Sequence, residues 1–137
     1  MSLTIEKTQK LIEGLRVIVV DDVEDSRDVL QMYLTQKQAE VKSVSSAKEA
    51  LQALESFQAR LIISDIYMPD KDGYWLIEQL HTKYSNRIPA IALTAAAKQE
   101  DRDRLIAAGY EGYLSKPFLF EDLTMLITQI ISKSSQN

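Results

Sequence analysis

The sequence predicts a single α/β domain: a five-stranded parallel sheet with five helices on both faces, doubly wound. Three observations carry this. Five short apolar runs, some of them β-branched throughout, are each bounded by polar or turn residues, the pattern of strands buried on both faces. Stretches with apolar residues at helical spacing separate these runs, so strand and helix signals alternate. The length, 137 residues, suits one domain with one sizeable core.

Taken in order, 1–14 is polar with scattered Leu3, Ile5, Leu11 and Ile12, and reads as a lead-in or frayed helix outside the core. The domain proper is expected over 15–132, with 133–137 as a tail. Val17 to Val20 is a β-branched strand ending in Asp21-Asp22. Glu24 to about Lys37 carries Val29, Leu30, Tyr33 and Leu34 at helical spacing. Ala39 to Val44 alternates loosely as a second strand. Ser46 and Glu49, three apart, predict a capping box opening a helix whose inner stripe is Ala47, Ala50, Leu51 and Leu54.

Leu61-Ile62-Ile63 is a third strand, and it delivers Asp65 into the turn that follows. The next helix, Gly73 to about Tyr84, places Leu76, Ile77, Leu80 and Tyr84 on one face. Ile88 to Leu93 is a strand ending in Thr94. The helix over 98–108, stopped by Gly109, has six consecutive polar residues from Gln99 to Arg104. With little apolar surface to bury, it is expected to dock weakly. Glu111 to Ser115 is the last strand, ending in Lys116-Pro117, and Leu119, Leu123, Leu126, Ile127 and Ile130 stripe the final helix.

Composition narrows the function. With no cysteine and one histidine, His81, the chain has no thiol chemistry, disulfide framework or multi-histidine metal site. His81 reads as a solvated surface residue. A net charge of −4 with scattered Lys and Arg argues against direct nucleic-acid binding or attraction to anionic lipid. No run is long and apolar enough to insert in a membrane and no secretory pattern opens the chain, so a cytoplasmic location is expected.

Right-handed crossovers put every strand's carboxyl end on one edge, where Asp21, Asp22, Asp65, Thr94 and Lys116 converge. Singly, each has an ordinary structural reading: helix caps for the aspartates, a strand-end threonine, a solvated turn lysine. Jointly they describe a site. Three adjacent carboxylates repel unless a divalent cation relieves them, and oxygen-only donors favour Mg²⁺. An ammonium and a hydroxyl facing that cluster make sense if a phosphoryl group arrives there, with Asp65 as the nucleophile that forms an aspartyl phosphate.

At these residues the chain resembles the receiver domains of two-component response regulators. Asp21-Asp22 matches the family's acidic pair, Asp65 in Asp-Ile-Tyr-Met-Pro-Asp-Lys-Asp-Gly its phosphoacceptor and loop, Thr94-Ala95 its switch hydroxyl, and Lys116-Pro117 its lysine-proline. The intervals are 43 residues from Asp22 to Asp65, 29 on to Thr94 and 22 on to Lys116. The resemblance implies a flavodoxin-like fold. It also implies Mg²⁺, or Mn²⁺ in its stead, on Asp22, Asp65 and the backbone carbonyl of Tyr67, with Asp21 acting mostly through water. Thr94 and Lys116 would hold the phosphoryl oxygens, Tyr113 would follow Thr94 as the switch aromatic, and the bond before Pro117 would be cis. The partner implied is a histidine kinase or histidine phosphotransfer domain, and the downstream target is a protein. Phosphorylation would change the surface formed by helix 98–108, strand 111–115 and helix 119–131.

Val23, after the acidic pair, and Tyr67, two residues after Asp65, depart from the family's commonest pattern. Val23 also counts against a haloacid-dehalogenase-like phosphatase, which needs Asp-Xaa-Asp there. A flavodoxin-like binding domain would need a Gly-, Ser- and Thr-rich phosphate loop in place of Asp21 to Asp25. An unphosphorylated interaction module is opposed by the intact set of Asp21, Asp22, Asp65, Thr94 and Lys116. Only Lys133 to Asn137 follow the last helix, which predicts a stand-alone receiver or a receiver piece of a hybrid histidine kinase; Gly14 to Val17 and Ile88 to Thr94 look most like the latter.

Overall fold

The computed structural model describes residues 5–85, 88–95 and 98–135. Its elements run α1 (Ile5–Ile12), β1 (Arg16–Val20), α2 (Glu24–Gln36), β2 (Glu40–Val44), α3 (Ala47–Leu54), β3 (Leu61–Asp65), α4 (Gly73–Tyr84), β4 (Ala90–Thr94), α5 (Gln99–Ala108), β5 (Gly112–Ser115) and α6 (Phe120–Ser135). The five strands form one parallel sheet in the order β2-β1-β3-β4-β5.

Strand side chains alternate between two apolar layers, as the period of two requires. Val17, Val19, Leu61, Ile63, Ile91 and Leu93 pack beneath α1, α2 and α6. Ile18, Val20, Ile62, Ala90 and Ala92 pack beneath α3, α4 and α5. The central strands β3 and β4 are buried at every position, whereas edge strand β2 exposes Glu40 and Lys42 and half-exposes Val41 and Ser43. That polar edge discourages pairing with another sheet.

Four expectations change. The lead-in is a sixth helix, α1, packed against α6, with Ile12 1% exposed inside one apolar layer. Leu3 lies outside the described residues. The Gln9 side-chain amide donates to the Lys37 carbonyl at 3.1 Å and the Gly14 N–H to the Gln38 carbonyl at 2.8 Å, so hydrogen bonds as well as packing hold the segment. Val29 is exposed rather than part of the inner stripe of α2, and Leu119 is exposed just ahead of α6. The Ser46 hydroxyl accepts the Glu49 N–H as a cap should, but the Glu49 carboxylate reaches one residue further back, to Ser45 N–H, at 3.1 Å.

Helix α5 buries only Leu105, as its polar run predicts, and leaves Ile106 exposed. Its docking is supplemented by arginines lying over aromatic rings. The Arg104 guanidinium is 4.1 Å from the Tyr74 ring centre and that of Arg102 5.6 Å from Tyr113.

Candidate functional site

The parallel sheet brings four strand ends to one edge. Asp21 directly follows β1, Asp65 closes β3, Thr94 closes β4 and Lys116 directly follows β5. Asp21, Asp65 and Thr94 are all buried, while Asp22 faces solvent. Asp21, Asp22 and Asp65 each place a carboxylate oxygen within 4.8 Å of the others. The Lys116 ammonium stands 3.3 Å from Asp65 Oδ1 and 3.9 Å from Asp21 Oδ2.

Local bonding explains why these groups converge. Asp21 Oδ1 accepts the Val23 N–H at 2.9 Å, and the Asp21 carbonyl accepts the Arg27 guanidinium at 2.9 Å. Val23 holds the N-cap position of α2 without any side-chain cap, so neither aspartate of the pair is spent on capping that helix. Asp65 does not cap α4 either. Asp72 takes that role, accepting the Trp75 N–H at 3.0 Å. The Lys116 N–H donates to the Thr94 carbonyl at 2.8 Å, and the Lys116–Pro117 bond is cis.

Burial pushes the Asp65 carboxyl above the usual carboxylate range; Lys116 opposes that shift and Asp21 adds to it. A buried carboxylate beside two others, answered by one lysine, is short of positive charge. Oxygen-only donors suit a hard divalent cation, and the donor set fits Mg²⁺.

The remaining expected residues occupy distinct places. Tyr67 projects its ring to solvent. Tyr113 is half-buried within β5, opposite Ala92 of β4, under Arg102. Arg27, Asp72, Arg102 and Arg104 were not singled out by sequence. Only Asp72, a cap residue just ahead of a helical pattern, carried a readable signal.

The model of the response regulator receiver domain family matches residues 17–128. The chain belongs to the response regulator receiver domain family. A 14.6 kDa uncharacterized protein encoded beside sodA1 in Leptolyngbya boryana is 40% identical over 114 residues, covering 82% of this chain and 87% of that one. The transcriptional regulatory protein GltR of Pseudomonas aeruginosa is 32% identical over 122 residues, covering 88% of this chain, which spans half of GltR's length. The Thermotoga maritima response regulator TrrA, solved in complex with Mg²⁺-BeF, is 28% identical with a TM-score of 0.75, covering 85% of this receiver and 98% of that chain. The receiver is thus a phosphoryl-accepting signalling domain of two-component systems. Among its described residues no helix is long and apolar enough to cross a membrane.

Proposed function

We propose that Asp65 is the phosphoacceptor, with Asp21, Asp22, Asp65 and the Tyr67 carbonyl holding Mg²⁺ and with Lys116 and Thr94 receiving the phosphoryl oxygens. The observation that carries this is the Lys116 ammonium 3.3 Å from Asp65, beside three carboxylates that approach within 4.8 Å. Mg²⁺ supplies positive charge that neutralises the carboxylates and the incoming phosphoryl group; Mn²⁺ suits the same donors. An Asp65 oxygen attacks phosphorus in line, the bond from phosphorus to the donor nitrogen or oxygen breaks, and the donor leaves with that electron pair. Lys116 neutralises the charge shared by the transferred oxygens. The receiver assists its own phosphorylation and dephosphorylation without being an enzyme in its own right.

The donor is a histidine kinase or histidine phosphotransfer protein. An apolar cleft of about 560 Å³, lined by Val29, Leu30, Phe118 and Phe120, opens beside Asp21 and Lys116 and offers such a partner an approach to Asp65. The output is a change in the surface of α5, β5 and α6, with Thr94 and Tyr113 as the moving pair, read by a protein target. The cytoplasm is the compartment where such a donor operates. The working unit is 15–132, with α1 as an added packing helix; the expected tail from 133 instead continues α6 as far as Ser135.

Intact mass after incubation with acetyl phosphate, with and without Mg²⁺, tests the reading. One Mg²⁺-dependent phosphoryl adduct on the parent, absent from Asp65→Asn, supports it. No adduct on a folded parent, from acetyl phosphate or from a histidine-phosphorylated donor, overturns it.

A further inference from the structure

We propose that Tyr110 is a positioning residue for the phosphoacceptor loop, 66–72, and that its hydroxyl sets how tightly the site holds Mg²⁺. The inference rests on the assignment of Asp65 and the Tyr67 carbonyl made above. Tyr110 stands on the link between α5 and β5 and is 2% exposed. Its hydroxyl donates to the Gly73 carbonyl at 2.7 Å, across a sequence separation of 37 residues. The Ser64 hydroxyl donates its proton to the near end of the same loop, the Asp65 carbonyl, at 2.8 Å.

Gly73 is the far end of the loop and is tied to its near end. Its N–H donates to the Ile66 carbonyl at 2.8 Å. There is no slack between them: a Cβ on Gly73 would lie 2.5 Å from Ile66 Cδ1, 2.9 Å from Ile66 Cα and 3.0 Å from the Asp65 carbonyl oxygen. A shift of Gly73 therefore moves the Asp65-Ile66 backbone directly. Between those two ends lies Tyr67, whose carbonyl is the one backbone donor proposed for the site and lies two residues past the end of β3. Burial raises the phenol well above the ordinary tyrosine range, so the hydroxyl remains a donor wherever the protein works. Groups that orient a metal ligand without touching the metal govern affinity as the ligands do.

Calorimetric Mg²⁺ titration of the full chain, parent against Tyr110→Phe, tests this, since Phe keeps the ring and removes only the hydroxyl. The expected result is Mg²⁺ binding weakened about tenfold. Acetyl phosphate labelling should be slowed at low Mg²⁺ and restored to the parental rate at saturating Mg²⁺. Thermal unfolding in EDTA establishes that the variant folds; if it does not, Ser64→Ala removes the hydroxyl that fixes the Asp65 carbonyl at the near end of the same loop and is expected to weaken Mg²⁺ binding alike. A lower melting temperature with unchanged Mg²⁺ affinity marks a packing role only and overturns the proposal, as does a rate that stays low at saturating Mg²⁺. A parent that binds no Mg²⁺ and takes no phosphoryl group overturns the assignment of the site together with this inference. A parent that does both while the variant titrates identically overturns this inference alone.

Discussion

The Arg102 guanidinium of α5 covers the ring of Tyr113 in β5, its centre 5.6 Å from the ring centroid, and Arg102 Nε is buried with no hydrogen-bond partner among the described residues. A buried donor without an acceptor is costly, so this contact holds α5 in a position that other arrangements compete with. Arg102→Ala is expected to loosen α5, at a cost of about 1 kcal/mol to the domain. Hydrogen exchange should accelerate in 99–108 and remain slow in β1 and β3. Uniform exchange across the domain would refute a local latch.

Lys116 has two electrostatic consequences of opposite sign. It partly neutralises Asp65 and Asp21, competing with a cation for them, and it supplies charge for the phosphoryl oxygens. Lys116→Ala should bind Mg²⁺ several-fold more tightly and accept phosphoryl groups at least ~100-fold more slowly. Calorimetry and acetyl phosphate labelling measure the two separately; a parallel loss of both would mean that the substitution merely disorganises the site.

Metal-free stability should depend on pH through Asp65. Its carboxyl is raised in the folded state relative to the unfolded chain, so the folded state holds that proton more tightly. The stabilisation this gives is complete at pH below the unfolded carboxyl's range and is lost as pH rises through the elevated folded value. In EDTA at neutral pH, Asp65→Asn should melt higher than the parent by a few degrees, on the order of 1 kcal/mol. That advantage should shrink as the solution is acidified, and Mg²⁺ should stabilise the parent more than the variant. A variant that melts lower than the parent at neutral pH would show Lys116 outweighing burial.

Gly73→Ala forces a Cβ into the Asp65-Ile66 backbone. The expected outcome is a folded protein destabilised by ~2 kcal/mol or more, with Mg²⁺ affinity reduced by the displacement of the loop. Denaturant melts and Mg²⁺ titration check the two halves of that statement.

The Tyr67 ring is exposed two residues beyond Asp65, a bulky aromatic beside the site of an acyl phosphate. Phosphorylated Tyr67→Ala is expected to decay several-fold faster than the phosphorylated parent, by a factor of about 3 to 10 if exclusion of water dominates. Equal decay rates would remove Tyr67 from the account.

The strands and the site edge were legible because β-branched runs and their terminal polar residues leave little freedom: Val17 to Asp22 and Leu61 to Asp65 declare both burial and the point where burial stops. The weak docking of α5 was legible for the same reason, from six consecutive polar residues. What pins α5 was not, because Arg102 and Arg104 meet Tyr113 and Tyr74 only once the chain has folded, and an arginine in a polar run looks solvated. The distance between Tyr110 and Gly73 in sequence hid their contact likewise. Val29 misled because helical spacing identifies a face of α2 without saying how far the neighbouring α6 extends to cover it, and here the covering stops short and leaves the apolar cleft. The N-terminal segment misled because its apolar residues are few; one of them, Ile12, is buried completely.

That single isoleucine makes the domain boundary a practical matter. Cutting the chain just ahead of Leu15, two residues before the family match begins, strips Ile12 and the rest of α1 from the layer that holds Leu123, Ile127 and Ile131. The shortened protein would keep every residue of the phosphoacceptor site and yet present a sticky greasy strip along α6, inviting self-association and loss from solution before any signalling property was measured.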